Sequence, residues 1–463
     1  MLCIPLALGG ALVSAGEKET VSLDYQVPGL DKPAIRQADI LPLVEGLRTS
    51  PLLKVEQVGE SFEGRPLFSI AMGRGDTRVM MWSQMHGDEP TATSALFDLI
   101  AYMTAPEQEA WRDRWMDELT LVMVPMLNPD GAERNTRHNA QSFDINRDAK
   151  ALQSPEGRVL MDLARSFKPH FGFNLHDQNR HYGVGNTGKM ATISVLAPPY
   201  NEAREVNASR ARAMQLIGAL VKRVEPFIGG HVGRYDDAYS WRAFGDTFSE
   251  MGISTILIES GAHPNDPNRQ VARRINVEML VTAIDSIAGR TYVSVSSDIY
   301  GAIPFNEDDA IVDVKVGNVR VGQGNAAYRI DLAINEKYGQ VAVVDLGDLS
   351  LLHGAQELDA SAAQYRAPRA YELKPGQALE LTDSRYLELL RQGYGYFTGD
   401  ESLLVRETAL PVVINPRNPL GEIPARRRSA TFLLEDEEGA WLAVIDGALV
   451  DLRAGGKLLA SVR

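Results

Sequence analysis

Between about residues 37 and 290 the chain alternates short apolar runs with longer segments whose apolar positions recur every three or four residues. The runs at 78–84, 120–127 (TLVMVPML), 171–175 (FGFNL) and 253–258 (ISTILI) are apolar on both faces. That pattern marks strands of a central sheet covered by helices. The segments 92–103, 155–167, 202–224 and 271–288 carry the helical period, so 37–290 reads as one α/β domain. After about 291 the texture changes. TYVSVSSDIY, AIVDVKVGNVRV, AAYRIDLAI, GQVAVVDLGDL and WLAVIDGALVDLR alternate apolar and polar positions between Gly, Asn, Asp and Pro turns. They predict a smaller β-rich region over 291–463, with one helix at 382–392 and a loop over 413–428.

The first sixteen residues, MLCIPLALGGALVSAG, are apolar and uncharged until Glu17. They are too short to span a membrane and fit a secretory leader ending at Val13-Ser14-Ala15. This predicts a periplasmic or secreted protein, or a cytoplasmic one if the segment is no signal. No other stretch approaches spanning length. Lys and Arg number 47 against 61 Asp and Glu, a formal charge of −14, which argues against nucleic acid or an anionic membrane as partner. The single cysteine, Cys3, removes structural disulfides and every cysteine-based metal or nucleophile scheme. Any metal site must use Asp, Glu and the eight histidines.

Each predicted strand runs into a polar cluster: Met85-His86-Gly87-Asp88-Glu89, then Asn128-Pro129-Asp130-Gly131 with Arg137 and Asp144-Ile145-Asn146-Arg147, then His176-Asp177, then Glu259-Ser260-Gly261. Ligands of open α/β sheets bind at the carboxyl ends of strands, so the clusters can converge on one crevice. His86 and Glu89, three apart, can face one ion. With His176 they make a His₂Glu set, one used by catalytic zinc sites that keep a position open for water.

With HGDE at 86–89, NPDG at 128–131, RHNAQSFDINR at 137–147, the strand-end His176 and IES at 258–260, residues 85–262 resemble the zinc metallocarboxypeptidases of the carboxypeptidase A-like (funnelin) type. The resemblance implies a mixed central sheet flanked by helices and one zinc ion per chain, held by His86, Glu89 and His176. It implies Glu259 as general base and acid, Arg137 as the group that polarises the scissile carbonyl, and Asn146 and Arg147 as the grip on the substrate's terminal carboxylate. Tyr235 and Tyr239 both suit the catalytic tyrosine, with Tyr235 preferred. The implied activity is hydrolysis of the C-terminal peptide bond of a peptide with a free carboxylate. An amidase or deacylase acting on N-acyl amino acids or cell-wall peptides stays open, as does a non-catalytic peptide-binding protein. Asp88 stands where some members carry arginine, and Asp148 where asparagine is common.

Other features have plainer readings. Gly183-x-Gly185-x-x-Gly188 runs into an apparent strand, MATISVL, instead of a helix, so it reads as a loop near the site and not a dinucleotide fingerprint. Asp177 reads either as an orienter of a ligand imidazole or as a solvated turn aspartate. His181 reads as a loop residue and His263 as a cleft candidate. His138, His170, His231 and His353 read as structural or solvated. Arg242, Phe244 and Gly245 are candidates for the pocket of the substrate's last side chain. The β-rich region carries no catalytic constellation.

Overall fold

The computed structural model describes residues 25–462 apart from Tyr338. The leader expected at 1–16 and Cys3 lie outside the described residues. The strands of the first domain are β1 (Lys54–Glu60), β2 (Pro66–Gly73), β3 (Thr77–Ser83), β4 (Leu119–Val124), β5 (Phe171–Asp177), β6 (Gly183–Val184), β7 (Ile193–Leu196), β8 (Val232–Arg234) and β9 (Ser254–Ser260). All but β6 form one eight-stranded sheet in the order β1-β2-β4-β3-β5-β9-β7-β8. Its centre, β4-β3-β5-β9, is parallel. The flanks are antiparallel to it through β2 and β7, so the sheet is mixed.

The helices are α1 (Gln37–Leu47), α2 (Thr91–Thr104), α3 (Glu109–Arg112), α4 (Pro129–Arg134), α5 (Pro155–Phe167), α6 (Ala208–Ile228), α7 (Phe244–Glu250) and α8 (Gln270–Ala288). The period of two divides each central strand between two cores. Val79 and Met81 join Leu99, Leu216 and Leu280 under α2, α6 and α8. Met80 and Trp82 face the other way, onto Leu160, Phe244 and Phe248 of α5 and α7. Both faces are covered, which is why the runs are apolar throughout.

The predicted elements hold with local corrections. The strand expected at 120–127 ends at Val124, and those expected at 171–175 and 253–258 continue to Asp177 and Ser260. His176 and Glu259 therefore sit within strands, not after them. The helix expected at 202–224 starts at Ala208, where Asn207 accepts a bond from the Arg210 N–H at 2.9 Å, and runs through Pro226 to Ile228. β1 escaped prediction because KVEQVGE, an edge strand with an open face, shows little apolar signal, and β2, PLFSIAMG, was missed although it is mostly buried. TYVSVSSDIY is not a strand. It forms a 3₁₀ turn (Thr291–Ser294) and a short helix (Asp298–Ala302), whose Tyr292 and Tyr300 pack into the first core.

Beyond residue 305 the chain is β-rich, as expected. β10 (Asn306–Glu307) pairs with β6 of the first domain. β11 (Ile311–Val321), β12 (Tyr328–Lys337), β13 (Gln340–Gly347) and β14 (His353–Asp359) belong to a nine-stranded sheet completed by short strands between 364 and 460. Its two faces again separate by parity. Phe432, Leu434 and Val444 line one core, and Leu433, Ala443 and Ile445 the other, beneath the helix Asp383–Arg391.

Candidate metal centre and cleft

Three parallel neighbours, β3, β5 and β9, deliver the site. In their register His176 lies directly beside Glu259 and Leu175 beside Ser83. Gln84, at φ 49°, takes the left-handed conformation at the end of β3 and swings the chain into Met85-His86. Gly87 then passes so close to Gly131 that an added Cβ would lie 2.0 Å from the Gly131 carbonyl carbon. The glycines of HGDE and NPDG are thus a backbone-on-backbone contact that locks two strand-end loops together. Asn128 caps α4 by accepting from the Gly131 N–H at 2.9 Å and donates to the Met85 carbonyl at 3.2 Å. Asp130, fully buried, accepts from Ser61 Oγ at 2.7 Å and from Arg65 Nη1 at 2.6 Å.

His86, Glu89 and His176 are buried, and one ligand atom from each falls within 4.8 Å of the others. Glu89 lies between the imidazoles, with Oε1 2.7 Å from His86 Nδ1 and Oε2 2.7 Å from His176 Nδ1. The two Nδ1 atoms face each other at 3.2 Å. Two ring nitrogens and a carboxylate converging this tightly fit zinc, whose catalytic sites take such sets. Burial disfavours the charged His86 ring, but Glu89 and Asp144 outweigh it and raise His86 to about 9. Burial likewise opposes charge on Glu89, yet His86 and His176 hold its carboxyl well below the usual carboxylate range. Asp144 takes His86 Nε2 at 3.1 Å, fixing which ring nitrogen faces Glu89.

A cleft of about 540 Å³ opens over this group. Its lining includes Arg137, Asn146, Arg147, Tyr235 and Glu259 together with the three metal candidates. Burial, then the charge of Glu89, pushes Glu259 well above its ordinary value. Arg137 is anchored through Nε and Nη2 to Asp144 Oδ2 at 3.1 and 2.9 Å, leaving Nη1 toward His86 and Glu89. Asn146 Oδ1 accepts from the Phe244 N–H at 3.0 Å, so its amide N–H groups remain to donate. Arg147 is exposed in the cleft and has no carboxylate partner among the described residues.

Of the two tyrosines, Tyr235 lines the cleft, whereas Tyr239 is turned away and donates to Glu250. Arg242 does not line the pocket. It is exposed, with its guanidinium 5.8 Å above the Trp241 ring. Phe244 is buried in the α5/α7 core, so of those three candidates only Gly245 reaches the cleft, beside the buried Asp246. Asp148 points away from the grip, taking the Ser154 N–H and Oγ at 2.7 Å each ahead of α5. Asp177 binds Thr91 Oγ1 and Arg269 Nη1, both at 2.7 Å, and not His176. His263 bonds Thr192 Oγ1 at 2.8 Å and borders a neighbouring cavity of about 600 Å³ that shares Asp88, Asp177 and Arg269 with the cleft. Gly183–Gly188 forms the junction with β10, and Gly188 (φ +72°) abuts the His353 ring.

The sequence of residues 45–241 matches the profile of the zinc carboxypeptidases. The chain carries a zinc carboxypeptidase domain. Over 100 residues, 22% of this chain and 18% of the relative, it is 28% identical to carboxypeptidase 2 of Trichophyton rubrum. Over 146 residues, 28% of this chain and 30% of the relative, it is 25% identical to carboxypeptidase SOL1 of Arabidopsis thaliana. The chain thus spans about a fifth of the length of the fungal relatives it matches. A solved metallo-carboxypeptidase from Burkholderia cenocepacia superposes with a TM-score of 0.45 at 17% identity, over 56% of this chain and 70% of that one. Asp144, Tyr182, Asp246 and Asp308 escaped assignment from sequence although all touch the site or its rim. Asp144 lies within the quoted Asp-x-Asn-Arg stretch, but the other three carry no motif.

Proposed function

We propose that the zinc carboxypeptidase domain hydrolyses the C-terminal peptide bond of peptides with a free carboxylate. One observation carries this reading: Glu259 and Arg147, which has no carboxylate partner among the described residues, line the same cleft as the His86–Glu89–His176 triad. When bound, zinc supplies a Lewis acid that polarises the scissile carbonyl and acidifies an attacking water. Glu259, beside His176 in register, takes the proton of the attacking water and returns it to the leaving amine.

Arg137, held rigid by Asp144, carries Nη1 beside His86 and Glu89 and presents it to the oxygen on which charge develops, an interaction worth about 3–4 kcal/mol for a comparable donor. Arg147 and the Asn146 amide grip the terminal carboxylate. The guanidinium fork gives two parallel bonds that lysine could not. Burial and the neighbouring Glu259 charge keep the Tyr235 hydroxyl protonated, and its proton goes to the Tyr182 hydroxyl at 3.1 Å on the cleft wall. If the apolar segment at 1–16 is a secretory leader, the enzyme works in the periplasm or outside the cell, and otherwise in the cytoplasm.

Glu259→Gln tests the reading. Turnover of N-blocked dipeptides should fall by about 10²–10⁴-fold with zinc content unchanged. Undiminished turnover overturns the proposed base.

A further inference from the structure

The loop 178–192 after β5 carries Tyr182 into the cleft, and it is not held by its own domain alone. Asp313, near the start of β11 and with a side chain 9% exposed, receives Arg180 through Nε at 2.8 Å and Nη2 at 2.9 Å, and His181 Nε2 at 3.1 Å. Its remaining capacity is filled by the Glu336 N–H at 3.0 Å, and its own N–H is fixed by Asn335 at 2.7 Å. The adjoining chain adds a latch: β10 pairs with β6, Asn306 Nδ2 donates to Gln178 Oε1 at 3.0 Å, and the Ile311 N–H donates to the His181 carbonyl at 3.1 Å.

At the tip of this loop the Tyr235 hydroxyl donates to the Tyr182 hydroxyl at 3.1 Å, with ring centroids 5.7 Å apart. The Tyr182 hydroxyl, which accepts this bond and lines the cleft, keeps its own proton to donate. Asp308, one residue past β10, lines the same wall. A bidentate Arg–carboxylate bridge onto a buried carboxylate fixes direction as well as distance. Aligned donors in an active site are sensitive to displacements of about 1 Å.

We propose that the C-terminal β region is a working part of this cleft. Asp313 is a positioning residue that fixes the 178–192 loop, and Tyr182 contacts substrate in concert with Tyr235. This rests on the carboxypeptidase reading above and extends it to residues beyond the matched domain.

A double-mutant cycle on the full chain tests it, using kcat and KM for an N-blocked dipeptide, zinc content and thermal stability. Tyr182→Phe and Asp313→Asn should each lower kcat/KM about 10-fold, with zinc content unchanged. The double variant should fall no further than the worse single, because both changes remove one arrangement. If Asp313→Asn does not fold, Arg180→Lys replaces it in the cycle, keeping the charge but losing the two-point grip. Asp436→Asn, on a distant hairpin where Asp436 pairs with Arg453, should leave kcat/KM unaltered. Full activity of Tyr182→Phe, or losses that multiply to about 100-fold in the double variant, overturns the proposal while the carboxypeptidase reading stands. A wild-type chain that binds zinc and cleaves no such substrate overturns both.

Discussion

Asp246 shows how a single side chain can be costly to the fold and useful to the cleft. Burial raises its carboxyl to about 6, only partly opposed by the Ser240 N–H bond at 2.9 Å and the charge of Arg147. An acid raised in this way costs nothing below the ordinary carboxylate range, and its full cost is present above pH 6. Asp246→Asn should therefore stabilise the protein at pH 7.5 by about 1–3 kcal/mol, with the gain vanishing below about pH 4 in melting curves taken across pH. The same change should lower kcat/KM for peptides ending in Lys or Arg relative to those ending in Leu, since it removes a negative charge from the lining that includes Gly245. Asp144→Asn should weaken zinc about 10–100-fold in chelator competition, because His86 loses the partner that sets its ring. At this scale the sequence was most legible where chemistry is written in short spacings, as in His86 and Glu89. It was silent on Tyr182 and Asp246, whose importance depends on which distant strand lies opposite them.

Register is what turns strands into a site. Because His176 and Glu259 are partners in neighbouring parallel strands, their separation is fixed by the sheet and not by a loop. Gly87 fixes the third approach, and its replacement by Ala would drive a methyl into the Gly131 backbone. Gly87→Ala should lower the melting temperature and weaken zinc binding together, whereas Ser154→Ala at the start of α5 should cost about 1 kcal/mol with zinc binding unaffected. Calorimetry and metal titration of the two variants separate these effects. Apolar periodicity located the buried strands and α5 well, because burial on both faces leaves a strong signal. It failed for β1, which is open on one face, and for TYVSVSSDIY, where two tyrosines eight residues apart pack as helix residues but read as strand alternation.

Across the whole molecule, distant segments are joined by buried polar ties that no local pattern announces. Arg273 of α8, 1% exposed, grips Asp98 of α2 at 2.6 Å through both Nε and Nη2 and also holds the Val27 carbonyl at 3.0 Å. Arg273→Ala should destabilise the protein by about 3–5 kcal/mol, since it strands a buried carboxylate. Asp98→Asn in that background should restore part of the loss in chemical denaturation. The β-rich character of the C-terminal region was legible from its alternation and turns. Its junction with the first domain was not, because Arg180 and Asp313 stand 133 residues apart. That separation also imposes an order of events. A chain emerging amino end first exposes His86, Glu89, His176 and Glu259 well before β11 can receive Arg180, and closing so long a loop lags behind local folding. On the proposed reading, the chain can thus gather its metal-binding side chains before the cleft wall that carries Tyr182 is fixed, and full turnover waits for the last domain to fold.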